Sequence, residues 1–111
     1  MKLVIGGAAQ GKLEYVVNKY ASQENVVIVN RLHQWVRRRM ESGGCPEAEI
    51  MSYVDSHEDC IIICDEIGNG IVPVEPFERE YRECVGRILV QLAGRAEEVE
   101  RILCGIGQKI K

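Results

Sequence analysis

Leu3-Val4-Ile5 runs without a break into Gly6-Gly7-Ala8-Ala9-Gln10-Gly11-Lys12, and a helical pattern follows. A buried strand, a tight glycine-bearing turn and a helix in that order are the opening of an α/β unit. The turn has the spacing G-x-x-x-x-G-K. Its glycines let the backbone curl so that N–H groups point inward at phosphate oxygens. The helix that follows adds the positive end of its dipole, and Lys12 adds a point charge for terminal phosphates. A complete motif places Ser or Thr next, to put a hydroxyl on Mg²⁺. Leu13 stands there instead. The bland alternative is a turn that only joins strand to helix. The spacing and its setting favour Gly6, Gly7, Ala8, Ala9, Gln10, Gly11, Lys12 and Leu13 as a nucleotide-binding loop.

The rest of the chain alternates in the same way. Lys2–Ile5 reads as a buried strand and Lys12–Ala21 as a helix with an inner stripe of Val16, Val17 and Tyr20. Val26–Val29 is a second short β-branched run. Helices are expected over Leu32–Ser42, ended by Gly43-Gly44, and over Glu47–His57, with Ile50, Met51 and Val54 on one face. Cys60–Cys64 is the clearest buried strand, and Asp65–Pro73 a glycine-rich loop. Pro76–Ala96 is a long amphipathic helix that opens on a proline suited to the first turn. Val99–Cys104 reads as the final strand, closed by Gly105 and Gly107. Strands alternating with helices imply one domain over residues 1–111, α/β, three-layered and phosphate-loop NTPase-like, with a mainly parallel sheet.

A second element fits the same site. Ile61-Ile62-Ile63-Cys64 delivers Asp65-Glu66 to the carboxyl end of a strand, where ligands bind in open α/β sheets. In phosphate-loop proteins an acid there holds Mg²⁺, so Asp65 and Glu66 are the candidate metal ligands and, with Lys12, the candidate catalytic groups. The plain reading makes them the start of a solvated loop.

Composition sets outer bounds. The 111 residues carry a net charge of −3, which argues against non-specific nucleic-acid binding. No segment has the length of an apolar membrane span, and the first residues lack a signal-peptide layout, so a cytoplasmic location is expected. The five cysteines are odd in number and mostly set in apolar runs. They read as small buried hydrophobes in a reducing compartment, not as a zinc site. His33, without a partner acid in sequence, reads as a surface or helix-packing histidine and His57 as a loop residue. Arg37-Arg38-Arg39 reads as a solvated helix surface, and Trp35 as a core or subunit contact.

From Asp65 onward the chain becomes distinctive: Asp65-Glu66-Ile67-Gly68-Asn69-Gly70-Ile71-Val72-Pro73, then Arg79, Tyr81, Arg82, Gly86, Arg87 and Glu97-Glu98-Val99. This closely resembles the C-terminal half of the bifunctional adenosylcobinamide kinase / adenosylcobinamide-phosphate guanylyltransferase family, whose pattern is Asn-Glu-Val-Gly-x-Gly-Ile-Val-Pro. The Gly-Gly-x-x-x-Gly-Lys loop fits the family too. The resemblance implies an enzyme of cobalamin assembly. It would phosphorylate a cobinamide-type corrinoid at an alcohol from ATP or GTP, with Mg²⁺, and then transfer GMP through a guanylylated histidine. It also implies a homo-oligomer, a trimer.

Departures from the pattern qualify that activity. Asn30-Arg31-Leu32-His33-Gln34-Trp35 aligns with the family's Asp-Cys-Leu-Thr-x-Trp, so Asn30 replaces an acid and His33 a threonine. The strand–helix unit that carries the guanylylated histidine is then missing between Ala21 and Val26. Leu89-Val90 replaces Asn-Gln, and Leu13 the hydroxyl residue. The resemblance therefore implies a cobinamide kinase-like transferase without guanylyl transfer. The alternative is a non-catalytic nucleotide-binding or regulatory homologue.

Overall fold

Residues 1–111 are described by a computed structural model in which β1 (Lys2–Gly6) lies at the centre of a five-stranded sheet. The other strands are β2 (Ile28–Val29), β3 (Ile61–Asp65), β4 (Glu98–Leu103) and β5 (Ile106–Lys109), in the order β2-β3-β1-β4-β5. The first four are parallel and β5 is antiparallel to β4. Side chains alternate across a strand, and that alternation builds two cores. Leu3, Ile62, Cys64 and Val99 face α2 (Leu32–Ser42), α3 (Glu47–Ser56) and α4 (Pro76–Arg95). Val4, Ile61, Ile63 and Ile102 face the other way, against Val16 of α1 (Lys12–Lys19) and Tyr20 beyond its end. The result is the three-layer α/β fold with a mainly parallel sheet. β3 is apolar at successive positions because both its faces are covered.

Helix periodicity is met residue by residue in α4. Tyr81, Cys84, Val85, Ile88 and Leu92 are buried at spacings of three and four, and Pro76 occupies the first turn. Tyr81 also donates its hydroxyl proton to the carbonyl of His33 at 2.9 Å. That bond fixes the start of α2 against α4.

Several expectations are corrected. α1 stops at Lys19, and Val17 is half-exposed, so the inner stripe is Val16 and Tyr20 alone. The Val26–Val29 run contributes only two strand residues. β4 is not the final strand. Cys104 and Gly105 take φ of 51° and 77°, the left-handed pair that a tight hairpin turn requires. The chain therefore reverses at Gly105 into β5, with Leu103 opposite Ile106.

The cysteines do not all stay reduced. Cys45, between α2 and α3, is joined to Cys84 of α4 by a disulfide, while Cys60, Cys64 and Cys104 are thiols. A separation of 39 residues hides such a pair from sequence reading. In the chain-entropy picture a closure of that length stabilises the fold by about 2–4 kcal/mol. A urea titration with reductant should lose about that much stability. An unchanged midpoint, with both thiols verified as reduced by mass labelling, would show that the cross-link contributes nothing.

Candidate functional site

The site forms where β1 and β3 end side by side. Their register pairs Gly6 with Asp65, and Gly6 pairs with Ile102 of β4 on its other flank. A Cβ at position 6 would lie 2.6 Å from the Ile102 carbonyl oxygen, so only glycine lets the three strands close there. The loop then turns over this end of the sheet. Ala9 and Gly11 adopt left-handed φ of 57° and 81°, and Gly11 precedes the first residue of α1. Gln10 fastens the loop to the β4–β5 turn. Its side-chain oxygen accepts the Cys104 N–H at 2.7 Å, and its backbone oxygen accepts the Gly105 N–H at 2.8 Å.

Lys12 is buried and folds back into this loop. Its ammonium donates to the Gly7 carbonyl at 2.6 Å and lies 2.7 Å from one oxygen of Asp65. His33, also buried, reaches the other oxygen, with Nε2 at 3.4 Å. Its Nδ1 accepts the backbone N–H of Asp65 at 3.1 Å. That bond fixes the neutral tautomer with the proton on Nε2, directed at the carboxylate. Burial pushes the imidazole below its ordinary value. The Asp65 charge opposes that, and Lys12 and Arg31 add to it.

The sequence-derived acids are brought together, with different surroundings. Asp65 is held between Lys12 and His33. Glu66 lies against Arg101, whose Nη2 donates to it at 3.0 Å, and it accepts from Asn69 at 2.7 Å. Leu13 is half-exposed beside the loop. Ala8 through Glu14, with Asn30, Arg31, His33, Gln34, Ile63 and Asp65, line a cavity of about 370 Å³. Cys64, one residue before Asp65, is no nucleophile, since burial pushes its thiol up to about 12. Next to the pattern anticipated for the loop, three groups are new. His33 is part of the cluster, Arg31 lines the cavity, and Arg101 neutralises Glu66. The only sequence signal for the first two was their alignment with a motif next to the nucleotide. The partner of His33, Asp65, is 32 residues away.

Outside this cavity, other charged groups are spent on structure. Glu100, buried on β4, is bound by Lys19 and by the Tyr15 hydroxyl. Arg37 pairs with Glu78, and Arg39 with Glu49, while Arg38 is exposed, so the arginine run on α2 is a helix surface with two of its three members paired. Trp35 is half-buried and packs edge-on against Tyr53.

Comparison with known proteins gives matches over most of the chain. The family model for cobinamide kinase / cobinamide phosphate guanyltransferase covers residues 7–110. The bifunctional adenosylcobalamin biosynthesis protein CobU of Escherichia coli (strain K12) is 37% identical over 82 residues, 70% of this chain and 44% of that protein. The protein of the same description from Salmonella typhimurium (strain LT2) is 34% identical over 86 residues, 74% of this chain and 46% of its own length. The chain spans about half the length of the curated relatives it matches.

The imidazole gives a pH signature. A histidine depressed in the folded state binds its proton more readily when unfolded. Its contribution to stability is therefore full above the unfolded value near 6.5 and is lost as pH falls from there toward the folded value. His33→Asn should lose less stability than the parent between neutral pH and about pH 5. Parallel stability–pH curves for the two proteins would show that His33 takes its proton equally in both states.

Proposed function

This chain belongs to the cobinamide kinase / cobinamide phosphate guanyltransferase family, and we propose that it is a nucleotide-binding, cobinamide kinase-like protein of cobalamin biosynthesis. ATP or GTP binds with its phosphates on the loop from Gly6 to Leu13. The acceptor is the alcohol of a cobinamide-type corrinoid. The observation that carries this reading is the Lys12 ammonium, buried under the loop and held between Gly7 and Asp65 at the shared end of β1 and β3. Inward N–H groups and that ammonium neutralise phosphate charge as it moves from donor to acceptor. Phosphoryl transfer asks mainly for such positioning and neutralisation. Asp65 sets the ammonium's direction, and Glu66 is held by Arg101.

Asp65 and Glu66 are the two acids that would hold Mg²⁺ here, and the donor set as arranged does not fit a resident ion. Both Asp65 oxygens face Lys12 and His33, and Glu66 faces Arg101 and Asn69. Leu13 offers no oxygen, and no three potential ligands converge anywhere in the chain. Nucleotide affinity should accordingly depend weakly on Mg²⁺. Guanylyl transfer is not part of the proposal, because neither His33 nor His57 matches the histidine that the family resemblance requires. The same losses support the second reading, a homologue that binds nucleotide without transferring phosphate.

Calorimetry with ATP and GTP, each with and without chelator, tests the binding. Lys12→Ala should weaken affinity by about 1.5–3 kcal/mol, the range for hydrogen bonds to charged groups. Equal affinity of the two proteins would remove Lys12 from the site. With labelled ATP, transfer to adenosylcobinamide separates the kinase from the binding-only reading, and GTP should leave no acid-labile label on the protein.

The chain also associates with itself, as a trimer, in this proposal. Ile71, Val74 and Ile106 are 95%, 87% and 71% exposed, and apolar surface of that kind favours cover by a partner. Light scattering at micromolar concentration checks this, and a 12.5 kDa particle would reject it.

A further inference from the structure

We propose that Arg31 is the clamp for the terminal phosphate, taking the place of a divalent cation, so that this site selects polyphosphate without metal. The inference rests on the proposed phosphate loop and adds to it a residue and a selectivity. Three observations carry it. First, Arg31 lines the same cavity as Gly11 and Lys12, and its side chain makes neither a hydrogen bond nor an ion pair; Arg38, the other arginine without a partner, lies outside the cavity, and those at 37, 39, 79, 82, 87, 95 and 101 are all bonded. Second, its backbone is left-handed, with φ 56° and ψ 54°. Any residue with a Cβ disfavours that conformation, and strain of this kind gathers at ligand clamps. Third, the charges that line the cavity are Lys12, Arg31, Glu14 and Asp65. Lys12 is already balanced by Asp65 at 2.7 Å. Without Arg31 the lining would be left with the surplus negative charge of Glu14, which repels any phosphate. The residues that could have supplied a metal do not replace it. Leu13 has no donor atom, Asn30 has no charge, and both Asp65 oxygens are engaged.

A guanidinium suits the task. It keeps its charge at every relevant pH, and its fork of N–H donors grips a phosphate in two places. It also sits at the start of α2, whose dipole points the same way. Lys12 and Arg31 line one cavity, and a triphosphate, one group longer than a diphosphate, is the better able to meet both cations. The discrimination should therefore fall on the third phosphate.

The test uses inorganic tripolyphosphate and pyrophosphate, titrated calorimetrically into the full chain in EDTA and again with Mg²⁺. Parent protein should bind tripolyphosphate in EDTA, with little change on adding Mg²⁺. Arg31→Ala should lose about tenfold or more for tripolyphosphate, the range for a charge-assisted hydrogen bond, and much less for pyrophosphate. Arg31→Lys should recover part of the loss. Arg31→Gly and Arg31→Asn, which accept a left-handed backbone, should lose the same affinity while keeping or raising the thermal midpoint. A lowered midpoint in both would assign the strain to folding and overturn the clamp. Loss in Lys12→Ala with none in Arg31→Ala would overturn the clamp and leave the phosphate loop standing. No loss in either variant would overturn both. A large gain in affinity on adding Mg²⁺, equal in parent and Arg31→Ala, would give the terminal phosphate to a metal.

Discussion

The register of β1 between its two parallel neighbours is the constraint on which the site depends. Gly6 is opposite both Asp65 and Ile102. A slip by one residue would turn Leu3 and Val4 to the wrong cores and would carry Asp65 away from Lys12. The apolar alternation that buries Leu3 on one face and Val4 on the other is thus what aligns a lysine from one segment with an acid from another. Close approach sharpens the alignment. At Gly6 the neighbouring carbonyl leaves no space for a side chain, so the loop leaves the sheet at one point only.

Much of this architecture was legible in the residues because it rests on periodicity. β3 is four buried residues and an acid, and α2 runs from Leu32 to Ser42 as its pattern indicates. The misreadings share a physical cause. Val17 is apolar and on a helical pattern, yet it is half-exposed beside the buried Val16 and Tyr20. Gly105 has the composition of a terminus, and only its pairing with a left-handed Cys104 makes it a turn. Cys45 and Cys84 are brought together by the packing of the α2–α3 connection on α4, a tertiary fact with no local signature.

The candidate site divides in the same way. The loop and the Asp65-Glu66 pair follow from spacing within a few residues. His33 does not, because its partner is the backbone N–H of Asp65, on another element. A histidine that accepts from a main-chain amide leaves no acid in its own neighbourhood to announce it. Tyr81 then holds the carbonyl of that same histidine from α4. A chain of contacts thus runs from α4 through α2 to the acid beside Lys12, and each link joins residues distant in sequence. The electrostatic consequence is that Asp65, which lines the cavity, is already satisfied by Lys12 and His33.

Gln10 has a further consequence for how the molecule moves. Two bonds tie this one loop residue to the Cys104–Gly105 turn, while Gly107 lies so close under the Tyr15 ring that a side chain there would overlap it. The edge hairpin is thereby latched to the loop and to the first turns of α1. Opening of either should be cooperative: the loop cannot loosen while the hairpin stays docked, and fraying of the outermost strand is felt at the mouth of the cavity. The sheet edge farthest in sequence from the loop acts as its hinge pin.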